Sequence, residues 1–330
     1  MTGKTLITGA AGFIGSHLSE RVHGDELLLV DDLSSGQFEN IAHLLDDRCR
    51  FVHDRIGHAL EDDPSLFDGV TRVFHLAAAV GVRRAVDDPL GTIRTNVTET
   101  DAVLEHAART GAAVLITSSS EVYGKPIQIP MREDQDIVFG PTDSPRWSYA
   151  LSKALDEQLA LAYHHQHDLP VVMVRLFNVI GPRQSGKYGM VVPRLVQGAI
   201  EGRDLTIHGD GSQQRAFCDV RDAVVAMTTL LDDPAHHGRV YNLGSDDEIS
   251  IDQLADLIIE MTGGSAGKRF VPYDQAFSRP VDDPPRRVPD LARLRSAIDF
   301  RPRYTLRQTL QELIDVARSS EQSPAVTETT

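Results

Sequence analysis

Lys4-Thr-Leu-Ile-Thr-Gly9-Ala-Ala-Gly12-Phe-Ile-Gly15 is the stretch that decides the fold. Its first five residues read as a short buried strand, and the glycines turn that strand into a helix beginning near Phe13. Gly9 permits the tight turn and Gly12 lets backbone approach a pyrophosphate. Gly15 lets the helix pack closely on a sheet, with the helix N-terminus facing the phosphates. A glycine trio alone says little. This one follows a strand, opens a helix and precedes a second apolar run, Leu27-Leu-Leu-Val30, that ends in Asp31-Asp32. An acid about 20 residues past the glycines can accept the ribose hydroxyls of NAD and repel the extra phosphate of NADP, and no basic residue follows it. The pattern predicts a site for NAD.

Four further apolar runs keep the rhythm: Arg50–His53, Arg72–Leu76, Ala113–Thr117 and Val171–Phe177. Between the last three lie helical patterns, Val97–Arg109 closed by Gly111 and Trp147–His167 closed near Pro170. Such alternation predicts an α/β fold with a doubly wound parallel (Rossmann) sheet and a ligand crevice at the strands' C-terminal ends. Gly9, Asp31, Asp54, Leu76-Ala77-Ala78, Ser118–Glu121 and Asn178 all fall at those ends. After residue 178 the rhythm breaks into dense Gly, Pro and Arg, then shorter elements, among them a helix Ile251–Thr262 capped by Ser250 and Gly263. We therefore expect an NAD-binding domain from residues 1–177 and 216–243. A smaller mixed α/β lobe, from 178–215 and 244–318, would hold the substrate. The polar stretch 319–330 is expected to be a disordered tail.

With 330 residues the chain can bury a large core. Its net charge of −15 argues against a nucleic-acid groove. Two distant cysteines, Cys49 and Cys218, suggest a reducing compartment, and no apolar run is long enough to span a membrane. With the first strand starting at once, no signal peptide is expected, and a cytoplasmic location is. The dense His164, His165 and His167 lack acidic or thiolate companions at ligand spacing, so no metal is expected.

Ser118-Ser119-Ser120-Glu121-Val122-Tyr123-Gly124 is followed by Tyr149-Ala-Leu-Ser-Lys153. Tyr149 and Lys153 share one helix face. A free phenol, with a pKa of about 10, keeps its proton at neutral pH and so cannot act as a base. One positive charge at ~6 Å and an effective dielectric of ~20 favours phenolate by roughly 2.8 kcal/mol, about two pKa units. The pair is suited to take a proton from a sugar hydroxyl.

These residues resemble the extended short-chain dehydrogenase/reductase family, and within it the NAD-dependent nucleotide-sugar epimerases, dehydratases and decarboxylases. TGAAGFIG at 8–15, HLAAAV at 75–80, TSSSEVYG at 117–124, YALSK at 149–153, RLFNVIGPR at 175–183 and GDGSQQRAF at 209–217 match in order and spacing. The resemblance implies that Tyr149 takes the proton of the sugar 4-hydroxyl while C4 is oxidised, that Lys153 holds the nicotinamide ribose, and that Ser119 bonds the same sugar oxygen. It places Phe13, Ile14, Asp32, Ser35, Gly36, Asp54, Leu76, Ala77, Ala78, Asn96 and Ser118 at the cofactor. Val82, Asn178, Lys187, Val191, Arg194, His208, Arg215 and Arg287 would meet the substrate. It also suggests a homodimer through helices 97–109 and 147–167.

The reaction after C4 oxidation turns on Ser120 and Glu121. Sugar 4,6-dehydratases resembling this chain carry an acid where Ser120 stands, whereas Ser-Glu before Val-Tyr-Gly looks like the UDP-glucuronate decarboxylases. Oxidising C4 of a glucuronate creates a β-keto acid that loses CO2 readily. The rival is a 4-epimerase of UDP-glucuronate or UDP-glucose, whose uronate-specific members clamp the carboxylate with an arginine after Gly-Pro-Arg. Ser185 stands there in this chain, with Lys187 close by. A non-catalytic NAD-binding sensor is disfavoured because Ser119, Tyr149 and Lys153 are all intact. Decarboxylation to UDP-xylose, or to the 4-keto pentose, is the expected activity.

Overall fold

A computed structural model describes residues 3–186, 190–276 and 284–322. Seven strands form one sheet, in the spatial order Arg239–Leu243, Val171–Leu176, Ala113–Ser119, Val70–His75, Lys4–Thr8, Glu26–Asp31 and Cys49–His53. Every neighbouring pair is parallel. Parallel strands covered by helices on both faces must be apolar along their length. Accordingly, Leu27, Leu28, Leu29 and Val30 are all buried, and successive residues join different core clusters: Leu27 and Leu29 one, Leu28 and Val30 the other. The strand order reverses beside Lys4–Thr8, which places a crevice at the ends of Lys4–Thr8 and Val70–His75.

The expected elements are present, with shifted ends. The helix expected over 97–109 runs Pro89–Thr110. Asp88 caps it by accepting from the Gly91 amide at 2.9 Å, and Pro89 sits where its missing N–H costs nothing. Its early turns were hidden because Leu90 and Ile93 are exposed and break the apolar period. Trp147–His167 has the expected bounds, and Gly111 ends the preceding helix in the left-handed region at φ 73°. Ser250 and Gln253 form a reciprocal capping box ahead of Ile251–Thr262.

Beyond the main sheet, strand Gln214–Ala216 pairs antiparallel with Glu248–Ser250 and parallel with Arg286–Arg287. Strands Leu205–His208 and Lys268–Val271 form a second small sheet. Helices Val191–Ile200, Ile251–Thr262 and Leu306–Gln322 share a separate core that includes Leu195, Leu254, Ile258, Leu310 and Ile314. The last helix corrects the expected tail: it continues through Gln322, four residues past 318, and 323–330 lie outside the described residues. No helix among the described residues is long and apolar enough to cross a membrane.

Candidate functional site

A cavity of about 1150 Å³ opens at the strand ends. That lies just above the roughly 300–1,000 Å³ of a single small-molecule site. Its floor is the glycine turn. The Gly9 amide donates to the Val30 carbonyl at 2.8 Å, and Gly9 has φ 69°. A Cβ at Gly15 would lie 2.0 Å from the Gly9 carbonyl oxygen, so only glycine lets the helix Phe13–Arg21 close on the turn. At Gly12 a Cβ would meet the Gly9 oxygen at 3.2 Å. That cradle fits a dinucleotide pyrophosphate.

Asp31 forms the adjoining wall. One carboxylate oxygen accepts from the Ala11 amide at 2.9 Å and the other from Leu33 at 2.8 Å. Burial, opposed by those amides, leaves its pKa above the ordinary value. The two bonds fix the carboxylate at the cavity edge, where its remaining lone pairs suit ribose hydroxyls. Asp32 and Ser35 line the same end, whereas Gly36 packs against Ala11 and Asp31. Asp54 lines the far end, with one oxygen 2.6 Å from His58 Nδ1. Phe13, Ile14, Leu76, Ala77 and Ala78 complete this half.

Asn96 lies outside the cavity wall and is fully buried. Its Oδ1 accepts from the Ala79 amide at 2.7 Å and its Nδ2 donates to Ser152 at 2.9 Å. It therefore ties the loop after Val70–His75 to the helix of Tyr149 and does not touch the cofactor space. Ser118 lines the cavity, and its hydroxyl donates to Glu157 at 2.5 Å. Glu157 also takes both ends of the buried Arg175 guanidinium, at 2.9 and 2.8 Å, which pins the strand end beneath the helix.

Ser119, Tyr149 and Lys153 all line the cavity. The Tyr149 phenol is hydrogen bonded to Ser119, whose Oγ also accepts from the Glu121 amide at 3.2 Å. Lys153 is buried, and its ammonium donates to Asp156 at 2.9 Å. Here the expectation of a lowered phenol pKa needs correcting. Burial raises Tyr149 above its ordinary value and outweighs the Lys153 charge and the Ser119 bond, with the Glu121 and Asp156 carboxylates adding to the rise. Lys153 is also raised, because Asp156 and Tyr149 overcome the burial that would lower it. Any further positive charge brought beside the phenol would act against that rise.

Glu121 is held between two guanidiniums. Arg287 Nη1 donates to its Oε1, and Arg146 Nη2 lies 3.3 Å from its Oε2. Burial on its own would raise the Glu121 carboxyl, yet Arg287 and Arg146, with Arg215 behind them, hold it below the usual range. The backbone explains why Arg287 and not Arg286 arrives here. Consecutive strand residues face opposite sides, and Arg286 turns to Glu248 at 2.6 Å. Ser120 is buried at the same turn.

Asn178, Val191, Arg194, His208, Arg215 and Arg287 all line the other half of the cavity. Arg194 lies 3.0 Å from His208 Nε2, and the Asn178 amide donates to the Ala216 carbonyl at 3.0 Å. Lys187 and the side chain of Val82 fall outside the described residues. Sequence reasoning missed Arg146, Arg84, Gln213 and Tyr273 as lining residues, and Asp156 as the partner of Lys153. Asp156 had a signal, its i,i+3 spacing to Lys153; Arg146 had none, because its partner lies on another element.

The family model described as "NAD dependent epimerase/dehydratase family" matches residues 5–244. The UDP-N-acetyl-alpha-D-glucosaminuronate decarboxylase of Bacillus cytotoxicus is 37% identical over 333 residues, covering 97% of this chain and 99% of that protein. UDP-glucuronic acid decarboxylase 1 of Arabidopsis thaliana is 33% identical over 320 residues, covering 96% of this chain and 70% of the relative. Among solved structures, the UDP-glucose 4-epimerase of Thermotoga maritima with UDP-glucose superposes with a TM-score of 0.85 at 26% identity, covering 97% of this chain and 100% of the other. The chain belongs to the NAD dependent epimerase/dehydratase family and is an NAD-dependent enzyme.

Proposed function

We propose that this enzyme decarboxylates a UDP-linked hexuronate after oxidising it at C4, with UDP-glucuronate as substrate and UDP-xylose, or the 4-keto pentose, as product. NAD, when bound, would supply the acceptor for the C4 hydrogen and a positive charge that favours the Tyr149 phenolate. Tyr149 takes the 4-hydroxyl proton, with Ser119 bonding the same oxygen and Lys153 holding the ribose. The resulting ketone is β to the C6 carboxylate. Breaking the C5–C6 bond releases CO2 and leaves its electron pair as an enolate, whose oxygen accepts a hydrogen bond from the now protonated Tyr149. A water ordered by ionised Glu121 delivers a proton to C5, its hydroxide combining with the released CO2 as bicarbonate, and Tyr149 returns its proton as C4 is reduced.

One observation carries the choice of decarboxylation: Glu121 already occupies Arg287 and Arg146. An epimerase of uronates must restrain the same keto acid, and an ionic clamp on the substrate carboxylate does so. Here the two guanidiniums at Glu121, Arg287 and Arg146, are committed to a resident carboxylate, whose charge repels that of the substrate. The separate guanidinium of Arg215, with Arg194, suits the nucleotide diphosphate. The two decarboxylase relatives support the same reading.

The test is incubation with NAD and UDP-glucuronate, following CO2 and the sugar product by NMR. CO2 with a pentose supports the proposal. A galacturonate product without CO2 supports the 4-epimerase, and UDP-N-acetylglucosaminuronate is the second substrate to try.

We also infer a homodimer. Leu90 and Ile93 on Pro89–Thr110, and Leu151 and Leu155 on Trp147–His167, are exposed apolar residues on two adjacent helices. Pairing these helices with a second copy would cover them.

A further inference from the structure

The helix bearing Tyr149 carries a second buried charge that the mechanism above leaves idle. Asp156 is fully enclosed, and its Oδ2 accepts from the Lys153 ammonium at 2.9 Å, with Lys153 itself only 2% exposed. A buried ion pair adds little net stability, because desolvating both charges offsets their attraction. Loss of Asp156 would leave the buried Lys153 charge uncompensated, so the carboxylate holds the fold and also sets how much of that charge reaches Tyr149.

The groups facing the pair come from three elements. Tyr149 and Glu157 share the helix. His75 faces it from strand Val70–His75 and Thr100 from helix Pro89–Thr110. His75 is neutral, since burial and the Lys153 charge pull its pKa down to about 3, and it is bonded to Thr8 at 2.8 Å and Thr100 at 3.2 Å. Glu157 is committed to Arg175 and Ser118. Asp156 is thus the carboxylate engaged by Lys153 among the described residues.

We propose that Asp156 is a positioning residue that anchors the Lys153 ammonium beside Tyr149 and partly cancels its charge, so that the phenol keeps its proton until a second positive charge enters the cavity. This rests on the reading of Tyr149 as the base. The arrangement couples proton removal to the oxidised cofactor and favours proton return once that charge is gone. An anion raises the proton affinity of every neighbour, so removing Asp156 lowers that of both Tyr149 and Lys153. Both limbs of the pH–rate profile then move to lower pH: the Tyr149 limb by about one to two units, for one charge roughly 6–12 Å away at an effective dielectric of ~20, and the Lys153 limb, in direct contact, by more.

The experiment compares wild type, Asp156→Asn and Asp156→Glu as full-length NAD-loaded enzymes with UDP-glucuronate across pH. A second readout is independent of turnover: 13Cζ-tyrosine NMR titration of the cofactor-free proteins, with the Tyr149 resonance identified by its loss in Tyr149→Phe. The expected result is that Asp156→Asn moves both limbs and the Tyr149 titration downward, and that Asp156→Glu restores them. A folded Asp156→Asn with unmoved limbs and resonance overturns the proposal, as does Asp156→Glu behaving like the Asn variant. Should Asn not fold there, Asp156→Ser is read the same way, and failure of both to fold marks the residue as structural and overturns the proposal. Full turnover in Tyr149→Phe would instead remove the underlying reading of the base, while the NMR titration would still decide what Asp156 does.

Discussion

Replacing Arg146 with Met probes the charge arrangement at Glu121 directly. Arg146 lies 3.3 Å from Glu121, with side-chain exposures of 4% and 12%. At that separation and an effective dielectric of ~20 the gross attraction is roughly 5 kcal/mol, much of it offset by desolvation. Arg287 remains, so Glu121 is not left unpaired. The expected loss is about 2–4 kcal/mol of transition-state stabilisation, or roughly 30- to 1,000-fold in kcat. The sign of the pH effect follows from the lowered folded pKa of Glu121. A depressed carboxylate contributes stability that is present above its unfolded pKa and lost as pH falls through the folded one. Without Arg146, burial acts against one guanidinium fewer, the folded pKa climbs, and that contribution is lost at higher pH. The acid limb of kcat should move upward with it. The assay is product formation from pH 5 to 9 alongside thermal melting over the same range. Wild-type kcat with an unmoved acid limb would refute the reasoning.

Other perturbations test separate parts. Tyr149→Phe should lower turnover by about 10²–10⁴ while NAD still binds, read by steady-state rates and calorimetry; near-normal turnover contradicts it. Gly15→Ala places a methyl 2.0 Å from the Gly9 oxygen, so both melting temperature and NAD affinity should drop, and an unchanged NAD titration would argue against the cradle. Asn96→Ala removes the acceptor of the Ala79 amide and the donor to Ser152, costing about 1–3 kcal/mol in denaturant unfolding. Leu155→Glu, at an exposed position, should leave the monomer fold intact and shift light scattering from dimer to monomer; a wild-type mass for both would remove the helix interface.

Much of the fold was legible because its signals are local. The Leu27–Val30 run is apolar on both faces, as a covered parallel strand must be, and the Gly9, Gly12 and Gly15 spacing encodes a turn that tolerates no side chain at residue 15. The long helix with Tyr149 and Lys153 had the right bounds because its spacing and the break before Pro170 are written in sequence. The start of Pro89–Thr110 was obscured by exposed Leu90 and Ile93. The site was legible as a set of residues but not as a balance of charges. Arg146 reaches Glu121 across 25 positions, a relation without periodicity; the resemblance pointed to Arg287, and strand register is what sends Arg286 to Glu248 instead. The phenol's direction of shift was misjudged for the same reason: a one-charge estimate counted Lys153 and omitted burial, Glu121 and Asp156.

The central claim is that C4 of the sugar is oxidised by removal of its own hydrogen, with Tyr149 taking the hydroxyl proton. The most direct measurement follows deuterium placed at C4 of UDP-glucuronate through the reaction with the NAD-loaded enzyme in ordinary water. The account expects deuterium back on C4 of the pentose, or on the dinucleotide if the ketone is released, and none of this in Tyr149→Phe. Deuterium appearing in the water, or CO2 evolved in a single turnover with no reduced dinucleotide formed and no slowing by the C4 deuterium, would contradict it.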